Sequence, residues 1–204
     1  MPTTLAKQLR KPSGFLGNLV GKILEFRNRG FYKEIIGKLS PRQGEHILEI
    51  GYGPGLGIYK IASSFPGCLI SGIDFSELMY HKASKRNKKF IDKGTVHLRY
   101  GDVLILETGD DKFDKIFCVN VIYFWNDLNL VFTRIFNMLG KKGEFLIYMA
   151  HKDSLEKAKF FADFCKYPVE EVERELKNAG FADIEYTFEK GYFISAKKSV
   201  IGIQ

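Results

Sequence analysis

The sequence predicts an α/β protein: a doubly wound, seven-stranded, mostly parallel sheet flanked by helices and closed by an antiparallel C-terminal hairpin. Three observations predict it. From about Gln43 onward, short apolar runs alternate with segments of helical period, the pattern of repeated βαβ units. The first run ends in a glycine cluster, Gly51-Tyr52-Gly53-Pro54-Gly55-Leu56-Gly57. The last two runs, 184–188 and 192–196, are joined only by Glu189-Lys190-Gly191. So short a link joins antiparallel neighbours, since a parallel crossover takes a dozen or more residues.

Each element follows from its residues. Residues 46–50 (HILEI) form a compact apolar first strand, and a helix over 56–64 follows the glycines. The second strand, 68–73 (CLISGI), ends at Asp74, and Ser76 is placed to cap a helix running to about Ile91. The third, 96–100 (VHLRY), alternates and stops at Gly101-Asp102. The fourth is 113–119, followed by a helix over 128–139 capped by Asp127 and stopped at Gly140. The fifth is 143–149, then helices over 153–165 and 169–179 interrupted at Pro168. Before Gln43, one or two helices are expected over 15–27 and 31–39, after the Lys11-Pro12-Ser13-Gly14 turn.

Composition narrows the class. At 204 residues, 45% hydrophobic and 27% charged, the chain can bury a core, so disordered and fibrous readings are excluded. The charge-free stretch through its apolar centre, 116–126, is too short for a bilayer, which needs roughly 20 apolar residues. Cys68, Cys118 and Cys165 are scattered and include no CxxC pair, so no metal site or disulfide framework is expected. The expectation is a cytoplasmic protein. Its net charge of +7 lies wholly in residues 1–42, which hold nine Lys/Arg against Glu25 and Glu34. Such an arm suits a solvated face, an anionic substrate, a membrane surface or a nucleic acid, and charge alone does not choose among them. The chain is therefore divided into a basic N-terminal helical segment, 1–42, and a domain over 43–204.

The chemistry gathers at strand ends. Glycines after the first strand let the chain turn sharply and bring a ligand against bare backbone beside a helix N-terminus. The spacing is GxGxG at 51, 53 and 55, preceded by Glu49. Leu56 stands where a nicotinamide-binding GxGxxG would need glycine, and Pro54 removes an N–H from the turn. Asp74 ends the second strand, where doubly wound folds place an acid against ribose hydroxyls. Asp102, in Gly101-Asp102-Val103, can accept from an exocyclic amine. Together these read as a site for a nucleoside with a charged tail.

The ordered set ILEIGYGPG (47–55), GIDFS (72–76), GDV (101–103), VNVIYFW (119–125) and LGKKGEFLIYM (139–149) resembles the class I S-adenosylmethionine-dependent methyltransferases. The likeness is greatest to the small Rossmann-like ones related to ubiquinone and menaquinone biosynthesis. It implies a seventh strand inserted antiparallel and S-adenosyl-L-methionine as cofactor. By the same likeness Glu49, Gly51, Gly53 and Gly55 surround the methionine part, Asp74 holds the ribose and Phe75 packs against the adenine, with Tyr52 and Ser76 also expected among the cofactor-binding residues. Gly101, Asp102 and Val103 would read the adenine edge, and Asn120 with Val121 the methionine tail.

The acceptor is less defined. Asn120-Val121-Ile122-Tyr123 lacks the prolines of adenine-N6 enzymes, and there is no room for a separate target-recognition domain, so a small-molecule acceptor is expected. His151 is the candidate general base, with Tyr123 a second catalytic candidate; Tyr52, Phe124 and Trp125 are further aromatics for the cationic centre. Lys82, Lys85, Arg86, Lys88 and Lys89 read as a wet helix face, and Tyr148 as a strand residue. Phe15, Leu16, Leu19, Phe26, Phe31 and Tyr32, ringed by Arg10, Lys11, Arg27 and Arg29, are expected to form a lid for an apolar acceptor with an anionic group. The competing readings are an NAD(P)-dependent oxidoreductase and an RNA-binding or RNA-modifying protein using the basic arm. No stable nucleic-acid partner is expected, and either a monomer or a homodimer is compatible.

Overall fold

The computed structural model describes Gln8 and residues 11–107, 112–156 and 164–198. Its strands are β1 (His46–Ile50), β2 (Leu69–Asp74), β3 (Val96–Tyr100), β4 (Phe113–Val119), β5 (Leu139–Ala150), β6 (Phe181–Phe188) and β7 (Gly191–Lys198). Its helices are α1 (Gly14–Leu39), α2 (Leu56–Ser64), α3 (Glu77–Ile91), α4 (Leu128–Met138), α5 (Lys152–Glu156) and α6 (Val169–Asn178). The strands form one sheet in the order β3-β2-β1-β4-β5-β7-β6. Strands β1 to β5 pair in parallel, and β7 runs antiparallel between β5 and β6.

The central strands are apolar almost throughout because both faces are covered. On one face Leu48, Ile116, Phe145 and Ile147 pack with Phe132 and Ile135 of α4 and Val172 and Leu176 of α6. On the other, Ile47, Ile70, Phe117 and Leu146 meet Ile58 and Ile61 of α2 and Ile35 and Leu39 of α1. Both expected caps form: Ser76 Oγ accepts from Met79 N at 3.4 Å, and Asp127 Oδ1 from Leu130 N at 2.9 Å.

Some boundaries differ. The segment expected as one or two helices over 15–27 and 31–39 is one continuous 26-residue helix, α1. α4 ends at Met138 rather than Leu139, because Leu139 is already extended and pairs with Phe113 as the start of β5. The hairpin is longer than its apolar runs, and its register slips between Ala182 and Glu185, where Asp183 takes φ 46°. Of the helix expected over 153–165, α5 is the described part; 157–163 lie outside the described residues.

Candidate active site

β1 pairs with β2 on one side and β4 on the other, so the chain direction from strand to strand reverses at the end of β1. In open α/β sheets such a switch point leaves a crevice outside the carboxyl ends of the strands. The glycine loop after β1 enters it. Gly53 has φ 52°, and a Cβ there would meet no atom within 4 Å, so its backbone faces open space. Gly55 caps α2 at φ 78°, and a Cβ there would lie 2.7 Å from Ala83 Cβ and from Asn87 Nδ2. α3 grips the loop from behind. Asn87 Nδ2 donates to the Gly55 carbonyl at 3.1 Å, and Arg86 Nη1 to the Pro54 carbonyl at 2.9 Å. Arg86 Nη2 also donates to both oxygens of Glu25 on α1, at 2.8 and 3.0 Å. Arg86 is thus not part of a wet face; it turns inward to tie the loop to α1.

Two buried carboxyl groups lie beside the loop. Asp74 Oδ2 accepts from Gly53 N at 2.8 Å, and Oδ1 from Ser76 N at 2.9 Å. Burial raises its pKa from 3.8 to about 6, against the pull of those two N–H groups. Glu49 is fully buried. Its Oε1 accepts from the Tyr32 hydroxyl at 2.8 Å, while its Oε2 makes no hydrogen bond. Burial pushes its pKa from 4.5 to about 8, only partly offset by the Tyr32 hydroxyl and by the Ile58 N–H, which lies nearby but short of hydrogen-bond geometry. Glu49 therefore carries its proton near neutrality.

At the end of β4, Asn120 takes φ 57°. Its Oδ1 accepts from the Tyr123 hydroxyl at 3.0 Å and from Ala150 N at 3.2 Å, and its Nδ2 donates to Asn28 Oδ1 at 3.0 Å. Ala150 N also donates to the Tyr123 hydroxyl. Burial drives the Tyr123 pKa well above its ordinary range, so the hydroxyl stays protonated.

These groups converge on a cavity of about 290 Å³. Gly51, Gly53, Asp74 and Phe75 line one end; Asn120, Val121, Tyr123, Phe124 and Tyr148 line the other. α1 covers it with Glu25, Asn28, Phe31 and Tyr32, and Leu155 and Lys190 are also in the wall. Phe31 stacks on Tyr148 with centroids 4.0 Å apart. A larger groove of about 840 Å³, lined by His46, Ser71, His97 and Arg99 among others, holds no glycine-loop residue and gathers no comparable chemistry.

Several expected residues stand elsewhere. Tyr52 is buried in the core, its hydroxyl donating to the Arg99 carbonyl at 3.1 Å. Glu49 reaches the cavity only through Tyr32. Ser76 caps α3 and donates to the Pro12 carbonyl at 2.7 Å. Gly101, Asp102 and Val103 do not line the cavity; the Asp102 carboxylate accepts from Leu104 N at 3.0 Å and caps a 3₁₀ turn, Val103–Ile105. Trp125 packs edge-on against Phe132. His151 is also outside the lining: its Nδ1 accepts from Asp153 N at 3.3 Å, and its ring sits beside Phe188 and Tyr192.

Of the expected lid, Phe31 and Tyr32 face the cavity. Leu19 and Phe26 do not: they point to solvent, 53% and 81% exposed. Arg29 is exposed and Lys11 lies over the Tyr100 ring. Arg10 and the side chains of Phe15, Leu16 and Arg27 are outside the described residues. Glu25, Asn28, Tyr148, Leu155 and Lys190 were not anticipated in the wall. For the first two a signal existed, since Glu25, Asn28 and Tyr32 recur at helical spacing along one face of α1.

A family model described as a methyltransferase domain matches residues 47–143. The uncharacterized methyltransferase YdaC of Bacillus subtilis (strain 168) is 30% identical over 173 residues, covering 83% of this chain and 90% of that one. The O-methyltransferase cnsE of Penicillium expansum is 26% identical over 76% of this chain, which spans only 58% of that protein. A solved structure of Haemonchus contortus phosphoethanolamine N-methyltransferase 2, in complex with phosphomonomethylethanolamine and S-adenosylhomocysteine, matches 97% of this chain. The TM-score is 0.78 at 20% identity, a likeness of fold, and this chain covers 60% of that one. A relative of nearly the same length, the matched domain and the strand order with its inserted β7 all agree, and the chain belongs to the class I S-adenosylmethionine-dependent methyltransferases.

Proposed function

We propose that this methyltransferase acts on a small, apolar acceptor bearing an anionic group, held in the cavity beneath α1. The observation that carries the reading is that one cavity has two chemically different ends. The Gly53–Asp74 end fits adenosine with an amino-acid tail. Each Asp74 oxygen accepts one backbone N–H and keeps acceptor capacity for a ribose hydroxyl, and Gly53 leaves its backbone bare to the ligand. The opposite end is mainly aromatic and aliphatic, with Asn120 and the exposed Lys190 also in its lining.

When bound, S-adenosylmethionine supplies a methyl group already activated by a sulfonium sulfur. The protein's own part is positioning, and a near-attack arrangement can contribute about 7–11 kcal/mol. The aromatic walls from Phe31, Tyr123 and Tyr148 favour a desolvated cation by up to about 2 kcal/mol. Tyr123 is a positioning residue: its protonated hydroxyl orients Asn120 and the Ala150 backbone. With His151 outside the lining, an acceptor that ionises by itself suits the site. The test measures S-adenosylhomocysteine release across aromatic carboxylates, fatty acids, quinone precursors and phosphoethanolamine. Turnover of anionic apolar compounds, with Lys190→Ala raising KM more than it lowers kcat, is expected. Turnover confined to phosphoethanolamine or to uncharged acceptors refutes the acceptor reading.

A further inference from the structure

α1 has two faces of different use. Asn28, Tyr32, Ile35 and Leu39 turn toward the body of the protein. On the opposite side, Leu19, Ile23 and Phe26 follow the spacing that stacks helical side chains on one face. They are 53%, 49% and 81% exposed. A lone exposed leucine needs no explanation, but a phenylalanine, an isoleucine and a leucine aligned on one helix face do.

Charge identifies the kind of surface that would cover them. Arg29, Lys33 and Lys38 are exposed further along the same helix, whose sequence also carries Lys22 and Arg27. Of the two acidic residues in α1, Glu25 is engaged by Arg86, and Glu34 alone is exposed. Residues 1–42 hold the whole +7 of the chain. Among the described residues no helix is long and apolar enough to cross a membrane. An apolar stripe followed by exposed cations is instead what a helix lying in the membrane interface presents: apolar side chains enter the headgroup–acyl boundary and cations meet lipid phosphates.

We propose that α1 docks the protein on an anionic membrane surface through Leu19, Ile23 and Phe26, with Arg29 and Lys33 as electrostatic anchors. Resting on the acceptor reading above, this places the cavity beneath the same helix next to acceptors dissolved in the lipid. A second copy fits the face less well, because self-pairing would set one basic segment against another. A nucleic acid would use the cations and leave Leu19 and Ile23 in water.

The experiment is sedimentation of the full chain with vesicles of phosphatidylcholine alone or of equimolar phosphatidylcholine and phosphatidylglycerol. Binding to the mixed vesicles is expected, weakening by at least ~10-fold without the anionic lipid or at high salt. Combined Leu19→Ser, Ile23→Ser and Phe26→Ser substitutions should reduce it by at least ~10-fold, and Arg29→Glu with Lys33→Glu comparably. Calorimetric affinity for S-adenosylhomocysteine should stay at the wild-type value in both variants, showing that they are folded. The proposal is overturned if the wild-type chain ignores anionic vesicles or if the serine variant sediments as the wild type does. It is equally overturned if the apolar substitutions abolish a dimer seen by light scattering, or an RNA gel shift, while leaving vesicle binding intact. Failure of the acceptor panel with vesicle binding retained would refute the acceptor reading alone.

Discussion

Glu49→Gln should change how stability depends on pH, and the structure sets both sign and size. In the folded chain the Glu49 carboxyl is sealed with Tyr32 and holds its proton up to about pH 8, whereas its ordinary pKa is 4.5. Between those values the unfolded chain has released a proton that the folded chain retains, so stability falls as pH rises. At roughly 1.4 kcal/mol per pH unit the loss is on the order of 4 kcal/mol by pH 8, and it levels off above, once the folded carboxyl ionises too. Glutamine has no such proton. At pH 5 it keeps an oxygen for the Tyr32 hydroxyl but turns an amide donor toward the Ile58 N–H side, a cost of about 1–2 kcal/mol. Urea midpoints from pH 5 to pH 9 should therefore cross: wild type more stable at the acid end, the variant more stable at the alkaline end. Parallel curves across that range would show that Glu49 ionises like an ordinary carboxylate and that the sealed pair is wrong.

Three further residues carry expected outcomes. Gly55→Ala places a methyl 2.7 Å from Ala83 Cβ in a left-handed conformation, and thermal unfolding should show a loss of about 2–4 kcal/mol. Asp74→Asn turns a donor toward Gly53 N or Ser76 N and loses acceptor capacity, so S-adenosylhomocysteine affinity by calorimetry should fall ~10- to 100-fold. In the wild type that affinity should decline as pH drops through about 6, where Asp74 takes up its proton; an affinity flat from pH 5 to pH 8 contradicts this. His151→Ala should cost less than tenfold in kcat, because loss of a general base costs ~10²–10⁴ and His151 stands outside the cavity.

How much was legible in the sequence depended on how local the cause was. The strands, the glycine loop, Asp74 and the caps at Ser76 and Asp127 are set by neighbours a few residues away, so period and residue type sufficed. Asp102 is a place where local pattern does not decide, because a carboxylate after a strand can serve a ligand or its own backbone, and here Leu104 N engages one of its oxygens. Tyr52 sits within the glycine motif, but its side chain turns back to the Arg99 carbonyl, and no local pattern reports that choice. Arg86 looks like its lysine neighbours in sequence. What distinguishes it is Glu25, 61 residues earlier, a pairing that only the folded chain creates. The lid was half legible for the same reason: α1 is apolar on two faces, so hydrophobicity alone could not say which one covers the cavity.

That helix makes ties of unequal consequence. Asn28 bonds Asn120, Tyr32 bonds Glu49, Phe31 stacks on Tyr148, and Glu25 pairs with Arg86. The glycine loop does not depend on the last of these, since Arg86 also holds the Pro54 carbonyl and Asp74 holds Gly53 N without help from α1. The acceptor end does depend on α1, because Phe31 and Tyr32 are part of its wall. Removing residues 1–29 takes away Glu25 and Asn28 and leaves Phe31 and Tyr32 on a frayed helix start. S-adenosylhomocysteine affinity should then fall by less than tenfold, because the Glu25–Arg86 pair and the Ser76–Pro12 hydrogen bond, about 1 kcal/mol each, brace this end from behind and only part of their loss reaches the ligand. The acceptor KM should rise by at least tenfold, as the wall loses its order. Equal losses at both ends would mean that α1 is simply part of the core, and unchanged turnover would mean that it covers nothing the reaction uses.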